Sequence, residues 1–287
     1  MLLHEATAFI YSMYPIVEIF GKQIGSYTIC AIVGVAVCML VGYLMVRKEK
    51  GFCIDDLIVS AVSIIIGLVF GGHIIFGITN IPQIISLFQH ISDYDFLGFM
   101  TMLFGQYIGG MVFYGGMLGG IAGLAVCCKV SQFGHKYMFD MYAVCIPLFH
   151  VFGRIGCFLG GCCYGIESEF GFTVHGNTLN PSVNDVNRFP VQLVEAACNL
   201  MIFVILFALH KKGKFHNRLL IAYFYLYPVV RFILEFFRGD EIRGFLFGLS
   251  TSQIISILLF AFAIIFTVID VNKKKNGTQA EPAKQGI

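Results

Sequence analysis

Arg154 stands in a run of residues whose types point to anion binding. The run HVFGRIGCFLGGCCYG (150–165) surrounds this arginine with glycines and places it near the end of an apolar stretch. A charged side chain in hydrocarbon costs roughly 2.5–3.5 kcal/mol on insertion scales, so it is usually retained for a partner. An arginine at a helix end can instead extend its guanidinium to the membrane interface. The glycines favour a crowded interior, where backbones approach closely, and we therefore predict an anionic partner for Arg154.

A second group of charged side chains lies in YFYLYPVVRFILEFFRGD (223–240). Four residues are spaced i, i+4, i+8 and i+11, which places them on one face of a helix: Tyr227, Arg231, Glu235 and Arg238. An ion pair between Arg231 and Glu235 would explain two of them without any ligand. It leaves the other arginines unexplained, because three arginines face one carboxylate in this half of the membrane. Arginine binds phosphate through paired hydrogen bonds, so we predict a cavity for a phospholipid headgroup.

Two further segments carry polar or flexible residues. In FPVQLVEA (189–196), Gln192 and Glu195 lie about one helical turn apart on one face. They either reach the same cavity or cap the start of a helix, and the residues by themselves favour the cap. GQYIGGMVFYGGMLGG (105–120) contains seven glycines and Tyr114. Its backbone either wraps a headgroup or lets helices pack closely.

The ten cysteines do not indicate a disulfide framework. Six lie within predicted spans, where buried cysteine behaves as a small apolar residue: Cys30, Cys38, Cys127, Cys128, Cys145 and Cys198. Cys157, Cys162 and Cys163 lie together in an outward-facing polar segment, but their spacing lacks the second ligand pair of a structural zinc site. We expect them to pack in a tight turn and expect no metal or cofactor. Metal-dependent redox chemistry is the alternative.

The elements that position these residues are membrane helices. Of the 287 residues, 57% are hydrophobic and 13% charged, with a mean hydropathy of +0.81, which excludes a soluble domain. Apolar runs close to the roughly 20 residues needed to cross a bilayer recur along the chain. They predict an all-α integral membrane protein with seven transmembrane helices, at about 24–46, 54–78, 107–128, 138–159, 190–209, 219–238 and 250–271.

Lysine and arginine set the predicted orientation. They follow the first, third, fifth and seventh spans, whereas the loop at 79–106 has none and the loop at 160–189 has only Arg188. The positive-inside rule then places the N-terminus outside and the C-terminus in the cytoplasm. Residues 1–20 lack the basic start of a signal peptide, so the first span is expected to act as the insertion signal.

The predicted organisation is simple. One seven-span membrane domain covers 1–272, and it includes an interfacial element at 9–21 on the outer face. The polar tail at 273–287 is expected to be disordered in the cytoplasm.

The chain resembles the bacterial prolipoprotein diacylglyceryl transferase family over about 15–270. Five motifs in the family's order carry the resemblance: GGMVFYGG (109–116), HVFGRIGCF (150–158), PVQLVEA (190–196), YPVVRFILEFFRGD (227–240) and GLSTSQIISI (248–257). The resemblance implies a seven-span enzyme that transfers the diacylglyceryl group of phosphatidylglycerol to the lipobox cysteine thiol of a preprolipoprotein. The products would be a thioether and glycerol 1-phosphate. It implies membrane lipid and lipoprotein signal peptides as partners, no nucleic acid, and a bacterial cytoplasmic membrane location with the active site toward the outer leaflet.

The resemblance also implies roles for single residues. Arg154 and Arg231 match the family's essential arginines, which would hold the phosphate and stabilise charge on the leaving group. Because the attacking thiol belongs to the substrate, no enzyme nucleophile is required. The catalytic candidates are Arg154, Arg231, Tyr227, Tyr114 and His73. The substrate-binding candidates are Arg154, Arg231, Glu235, Arg238, Gln192, Glu195, Gly165 and Cys157.

Two residues compete as proton acceptor for the substrate thiol. Tyr114 stands where several family members have histidine, and a phenol is a poor base unless an arginine lowers its pKa. His73 stands where many members have arginine, and it is a candidate either for the base or for a contact to the lipid headgroup. Three other positions depart from frequent family residues: Cys157, Phe189 and Ser252 replace asparagine, histidine and glycine. The alternative function is an arginine-lined transporter or binding protein for anions or phospholipids.

Overall fold

The computed structural model describes residues 15–49, 52–131, 135–178, 180–213, 218–240, 245–246 and 248–280. Within these ranges the chain is mainly helical, and six helices are long and apolar enough to cross a bilayer. Their bounds are Ser26–Val46, Ile54–Thr79, Tyr137–Gly160, Val191–Lys211, Leu219–Phe237 and Thr251–Lys273. The helical, multi-pass membrane class predicted from the sequence is therefore confirmed.

The elements follow one another in a simple order. The strands are β1 Ile16–Ile19, β2 Lys22–Gly25, β3 Glu167–Thr173, β4 Asn187–Arg188, β5 Phe245–Leu246 and β6 Leu249–Ser250. The helices are α1 Ser26–Val46, α2 Ile54–Thr79, α3 Ile81–Gln89, α4 Phe96–Met100, α5 Phe113–Ser131, α6 His135–Gly160, α7 Val191–Lys211, α8 Leu219–Leu234 and α9 Thr251–Ala280. Short 3-10 turns lie at Ile91–Asp93, Pro181–Val183 and Glu235–Phe237, and a π-helical segment lies at Thr101–Ile108.

The third predicted span, 107–128, is not one helix. The π-helical segment Thr101–Ile108 ends before it, and α5 starts only at Phe113. Gly109 and Gly110 occupy the interruption, and glycine is about 1 kcal/mol less favourable than alanine inside a helix. The apolar part of α5 is shorter than the six spans. The structure thus supports six spanning helices among the described residues, where the sequence predicts seven.

The chain forms two compact units, one of residues 43–138 and one of residues 1–42 with 139–287. In the first of these, α2 packs closely against α5. Glycines make the close approach possible, since a Cβ on Gly67 or Gly71 would overlap the backbone carbonyl of Gly119 or Gly115 respectively. The glycines of the 105–120 segment that lie in α5 therefore serve helix packing.

The other unit contains the remaining spans. α8 packs against both α7 and α9, and its buried face includes Tyr223, Tyr227 and Arg231. Its strands form three two-stranded antiparallel sheets, β1–β2, β3–β4 and β5–β6.

The hairpin β1–β2 turns through Phe20 and Gly21, whose φ angles are 53° and 74°. Two consecutive residues with positive φ match the twist that a tight hairpin needs. This hairpin contains the last part of the interfacial element predicted at 9–21, whereas residues 9–14 lie outside the described residues.

The C-terminal helix is longer than the predicted span. α9 continues to Ala280, so residues 273–280 of the predicted disordered tail are helical. Lysines 273–275 are good helix formers and extend the hydrogen-bonded helix beyond the apolar residues. Residues 281–287 lie outside the described residues.

Candidate active site

Glu195 is the centre of an ion cluster built by three helices. Its Oε2 lies 3.0 Å from Nε of Arg154 on α6 and 3.5 Å from Nη1 of Arg231 on α8. Its side chain is 1% exposed, against 16% for Arg154 and 6% for Arg231. A buried carboxylate needs such partners, because removing it from water alone costs several kcal/mol. Glu195 therefore ties α6 and α8 to its own helix, α7.

Arg231 has two further partners. Its Nη2 lies 2.7 Å from Oε2 of Glu235 and donates a hydrogen bond of 3.0 Å to Oγ of Ser252. Glu235 opens the 3-10 turn that follows α8, and Ser252 lies in the first turn of α9. Within the described residues, Nη1 of Arg231 makes no hydrogen bond. Arg231 is thus held on several sides, and its Nη1 faces Glu195 at ion-pair distance without a hydrogen bond.

A layer of aromatic and amide groups supports the cluster. The Tyr227 hydroxyl donates to Oε1 of Glu195 over 3.5 Å, and its ring stacks on Tyr223 with 5.3 Å between centroids. The His150 ring lies 5.0 Å from the Tyr227 ring, and its Nδ1 is 3.3 Å from Oδ1 of Asn199. Asn199 donates to the backbone carbonyl of Glu195 over 2.9 Å. These buried contacts fix the tyrosine and the helix that carries the carboxylate.

The charge count expected from the sequence is wrong. That count sets three arginines against one carboxylate, because the residues by themselves favour Glu195 as part of a helix cap. In the structure, Arg154 and Arg231 meet Glu195 and Glu235, two cations against two anions. The cluster is balanced and carries no excess of positive charge.

Arg238 also differs from the expectation. The sequence places it on the same helical face as Tyr227, Arg231 and Glu235, but α8 ends at Leu234 and Arg238 has extended backbone angles. Its guanidinium makes a two-pronged pair with Asp240, with N–O distances of 3.2 and 2.9 Å. Since the regular 3.6-residue period stops before Arg238, spacing could not predict its direction.

Gln192 at the start of α7 and Gly165 both hold the loop that follows α6. Gln192 donates from Nε2 to the Cys162 carbonyl over 2.9 Å, so it ties the start of α7 to that loop. Gly165 forms a bridge with Arg238, and a Cβ there would overlap the Phe189 carbonyl. Glycine is required at 165 because two backbone segments approach it closely.

The three clustered cysteines converge at the end of α6. The Sγ atoms of Cys157, Cys162 and Cys163 all lie within 4.8 Å of one another. Hydrogen bonds with the thiols of Cys157 and Cys162, and more weakly the charges of Arg238 and Arg154, lower the pKa of the Cys163 thiol. The sequence predicts a tight turn that contains these cysteines, but their spacing does not predict that all three sulfurs converge.

Tyr114 and His73 lie in the unit of residues 43–138. Tyr114 is buried near the start of α5. His73 lies on α2, and its Nδ1 is 2.9 Å from the Gly110 carbonyl. Within that unit, the histidine therefore links α2 to the glycine interruption before α5.

The sequence reasoning missed Asn199 as a site residue and left His150 without a place. The spacing of polar residues along the sequence could have indicated both of them. Gln192, Glu195 and Asn199 are spaced i, i+3 and i+7 in an otherwise apolar helix, and His150 precedes Arg154 by one turn. A polar stripe with this spacing marks a helix face that does not contact lipid.

Comparisons with known proteins show which sequences this chain resembles. The chain matches the family described as prolipoprotein diacylglyceryl transferase over residues 15–269. It is 30% identical over 260 residues to phosphatidylglycerol–prolipoprotein diacylglyceryl transferase 2 of Clostridium perfringens, covering 90% of this chain and 94% of that protein. It is also 30% identical over 265 residues to the phosphatidylglycerol–prolipoprotein diacylglyceryl transferase of Clostridium tetani, covering 92% of this chain and 100% of that protein. The enzyme of the same name from Campylobacter lari is 29% identical over 276 residues, covering 90% of this chain and 94% of that protein.

Proposed function

Because the chain belongs to the prolipoprotein diacylglyceryl transferase family, we propose that it catalyses diacylglyceryl transfer to lipoproteins. The donor is phosphatidylglycerol, and the acceptor is the lipobox cysteine thiol of a preprolipoprotein signal peptide. A carbon–sulfur bond forms, the bond between the diacylglyceryl carbon and the phosphate oxygen breaks, and glycerol 1-phosphate leaves. The thiol proton passes to a base.

The observation that carries the proposal is the sharing of Glu195 by Arg154 and Arg231. Two arginines on different helices are held at one carboxylate, with guanidinium groups fixed before a substrate arrives. Such preorganisation favours a transition state in which charge develops on the leaving phosphate. Arginines that only extended their guanidinium groups to the membrane interface would not need to share a buried carboxylate.

The arginines supply hydrogen bonds to the phosphate. Arg154 contacts Glu195 through Nε and is the more exposed of the two arginines, so its two terminal nitrogens are the proposed phosphate donors. This pair of N–H groups has the planar geometry that binds two phosphate oxygens. Nη1 of Arg231 is buried at 3.5 Å from Glu195 and makes no hydrogen bond, so it is a further proposed donor once the substrate is bound. Glu195 and Glu235 orient the guanidinium groups, and the Tyr227 hydroxyl orients Glu195.

In this proposal four further residues surround the bound substrate: Gln192, Gly165, Arg238 and Cys157. Gln192 and Gly165 hold the loop after α6, and Arg238 closes it through the bridge to Gly165. Cys157 lies on α6 one turn beyond Arg154, in the position where the family frequently has asparagine. Its thiol is a weaker hydrogen-bond partner than an amide, so it alters the polarity of the site.

Tyr114 and His73 are the proposed proton acceptors. Tyr114 stands at a family position where several members have histidine, whereas His73 replaces a frequent arginine, and an imidazole is in general a better base than a phenol at neutral pH. His73→Ala and Tyr114→Phe separate them. Loss of transfer at pH 7 that is restored by raising the pH, where the thiol ionises unaided, identifies the base.

The proposed arrangement in the bilayer is the one that the lysines and arginines favour. The protein lies in the bacterial cytoplasmic membrane with its N-terminus outside, its C-terminus in the cytoplasm, and α5 as a short seventh crossing. Residues 1–272 then form one membrane domain followed by the tail, and the ion cluster serves the outer leaflet. Protease digestion of a C-terminal epitope in sealed inverted and right-side-out vesicles tests the orientation. A tag cleaved only in right-side-out vesicles would contradict it.

Substitution of the arginines tests the proposed activity. Arg154→Ala and Arg231→Ala in the purified protein should each abolish transfer of labelled diacylglycerol from phosphatidylglycerol to a lipobox peptide. Arg218→Ala is a matched control, because this arginine also pairs with a carboxylate, Asp270, at the other end of α8. It should keep near-normal transfer. Retained transfer in both site variants would refute the proposal, and lipid or anion flux without a covalent product would favour a transporter.

A further inference from the structure

The three cysteines after Arg154 form a cluster whose convergence the proposed reaction does not explain, although Cys157 also belongs to the proposed substrate-binding surroundings. Cys157 lies in the last turns of α6 and is buried, Cys163 is half-buried, and Cys162 is exposed. Their Sγ atoms lie within 4.8 Å of one another. Three sulfurs at this separation can contact a single atom placed between them.

The backbone is shaped to bring the sulfurs together. Gly161 and Cys163 both have positive φ, 72° and 55°, so the chain reverses directly after α6. The Cys162 amide donates to the Cys157 carbonyl over 3.1 Å, which closes the turn. Glycine adopts a positive φ more readily than a residue with a side chain. A cysteine at 163 therefore accepts strain that glycine would relieve, which points to a use for its sulfur.

We propose that Cys157, Cys162 and Cys163 bind a thiophilic metal ion of the zinc class through three thiolates. Zinc–sulfur bonds of about 2.3 Å in tetrahedral geometry place sulfurs about 3.8 Å apart. The present separations of at most 4.8 Å need to close by only about 1 Å. Among the described residues, no other histidine, cysteine or carboxylate joins the group. The fourth position would belong to water, as in zinc sites that keep an open ligand position.

The surrounding charges suit a thiolate site. Binding of a divalent ion releases three thiol protons to solvent and leaves a metal–thiolate group of net charge −1. The guanidinium groups of Arg154 and Arg238 both act electrostatically on Cys163, and their positive charge favours this anionic group. Metal at the cluster would also place negative charge beside Arg154, so it would compete with a phosphate there.

Cadmium binding by the purified, reduced, full-length protein tests the site. Cadmium is a spectroscopic stand-in for zinc, because bonds to thiolates give a sulfur-to-metal charge-transfer band in the ultraviolet. We expect one tightly bound cadmium that zinc displaces. Cys157→Ser, Cys162→Ser and Cys163→Ser should each weaken binding by at least about 100-fold, since even outer partners of metal ligands contribute 10–100-fold.

A matched control separates this site from the remaining cysteines. Cys127 and Cys128 are adjacent and buried on α5, and the double variant Cys127→Ser/Cys128→Ser should bind cadmium as the unmodified protein does. Equal affinity in the three single variants, or loss of binding in the control, would overturn the proposal. So would a reduced protein that binds no cadmium.

A second measurement needs no variant and therefore does not depend on their folding. Saturating zinc should slow alkylation of Cys162 and Cys163 at least tenfold in peptide mapping, while exposed Cys53 reacts at its usual rate. Unchanged alkylation at both Cys162 and Cys163 would contradict the site. Both readouts are independent of diacylglyceryl transfer, so failure of the metal site and failure of the proposed function are distinguishable.

Discussion

Replacing Glu195 by glutamine removes the shared negative charge of the ion cluster and keeps the size of the side chain. In the structure this carboxylate is 1% exposed and lies 3.0 Å from Arg154 and 3.5 Å from Arg231. The variant removes the carboxylate that partly buried Arg154 contacts and leaves buried Arg231 with Glu235. Removing one partner of a buried ion pair typically costs about 3–5 kcal/mol. We expect a loss of this size in the free energy of unfolding and, because misplaced catalytic groups commonly cost about 100-fold, a comparable loss in transfer rate.

The assay compares this variant with Glu167→Gln, which makes the same chemical change at an exposed site. The Glu167 side chain is 74% exposed and lies 3.9 Å from Arg188, so its replacement should change stability by less than about 1 kcal/mol. Unfolding is followed by circular dichroism during titration of detergent-solubilised protein with SDS, and transfer is followed with labelled phosphatidylglycerol. The reasoning is refuted if Glu195→Gln unfolds and reacts like Glu167→Gln.

Three other substitutions test separate parts of the site. Gly165→Ala should destabilise the protein by more than about 2 kcal/mol, the scale of severe backbone strain, because its Cβ would overlap the Phe189 carbonyl. In the control Gly153→Ala, the new Cβ meets no neighbour within 4 Å, so this variant should be neutral or stabilising in the same SDS titration. Equal effects of the two substitutions would contradict this packing. Arg231→Lys should lower transfer at least about 100-fold, since one ammonium group cannot replace a planar guanidinium group that contacts several partners. A loss below tenfold in the labelled-lipid assay would argue against a requirement for the guanidinium group. Tyr227→Phe should slow transfer only about three- to tenfold, because its hydroxyl bond to the carboxylate is long at 3.5 Å; complete loss in steady-state kinetics would instead indicate a direct role in proton transfer.

Much of the fold could be predicted because bilayer crossing imposes a length and a composition. The six spans of the structure begin and end within about two residues of the predicted ones. The span at 107–128 differs because hydropathy does not register a helix break, and Gly109 and Gly110 are not polar enough to reveal one. Hydropathy also does not predict the continuation of α9 to Ala280, because a helix can extend beyond the membrane through polar residues such as lysine.

The site was predictable where one helix carries it. Tyr227, Arg231 and Glu235 fall on one face of α8 and the adjoining turn, as the 3.6-residue period predicts. The partnership of Glu195 with both arginines could not be predicted, because it depends on how three helices pack. Sequence reasoning therefore identified the arginines and misjudged the balance of charge around them.

The convergence of the three cysteine sulfurs also depends on the folded backbone and could not be predicted from sequence spacing. Spacing rules for metal sites assume common turns, and the turn after α6 uses positive φ at Gly161 and at Cys163. A non-glycine residue in that conformation is uncommon, so the sequence gives no reason to expect it.

Mass spectrometry of a lipobox peptide tests the central claim most directly. The peptide is incubated with the purified protein and phosphatidylglycerol, and a matched peptide carries serine in place of the lipobox cysteine. The account predicts a mass increase of one diacylglyceryl group on the cysteine peptide alone, located on its sulfur, with glycerol 1-phosphate released in equal amount. An unmodified cysteine peptide across varied lipids and peptide sequences, with protein that remains folded, would contradict it.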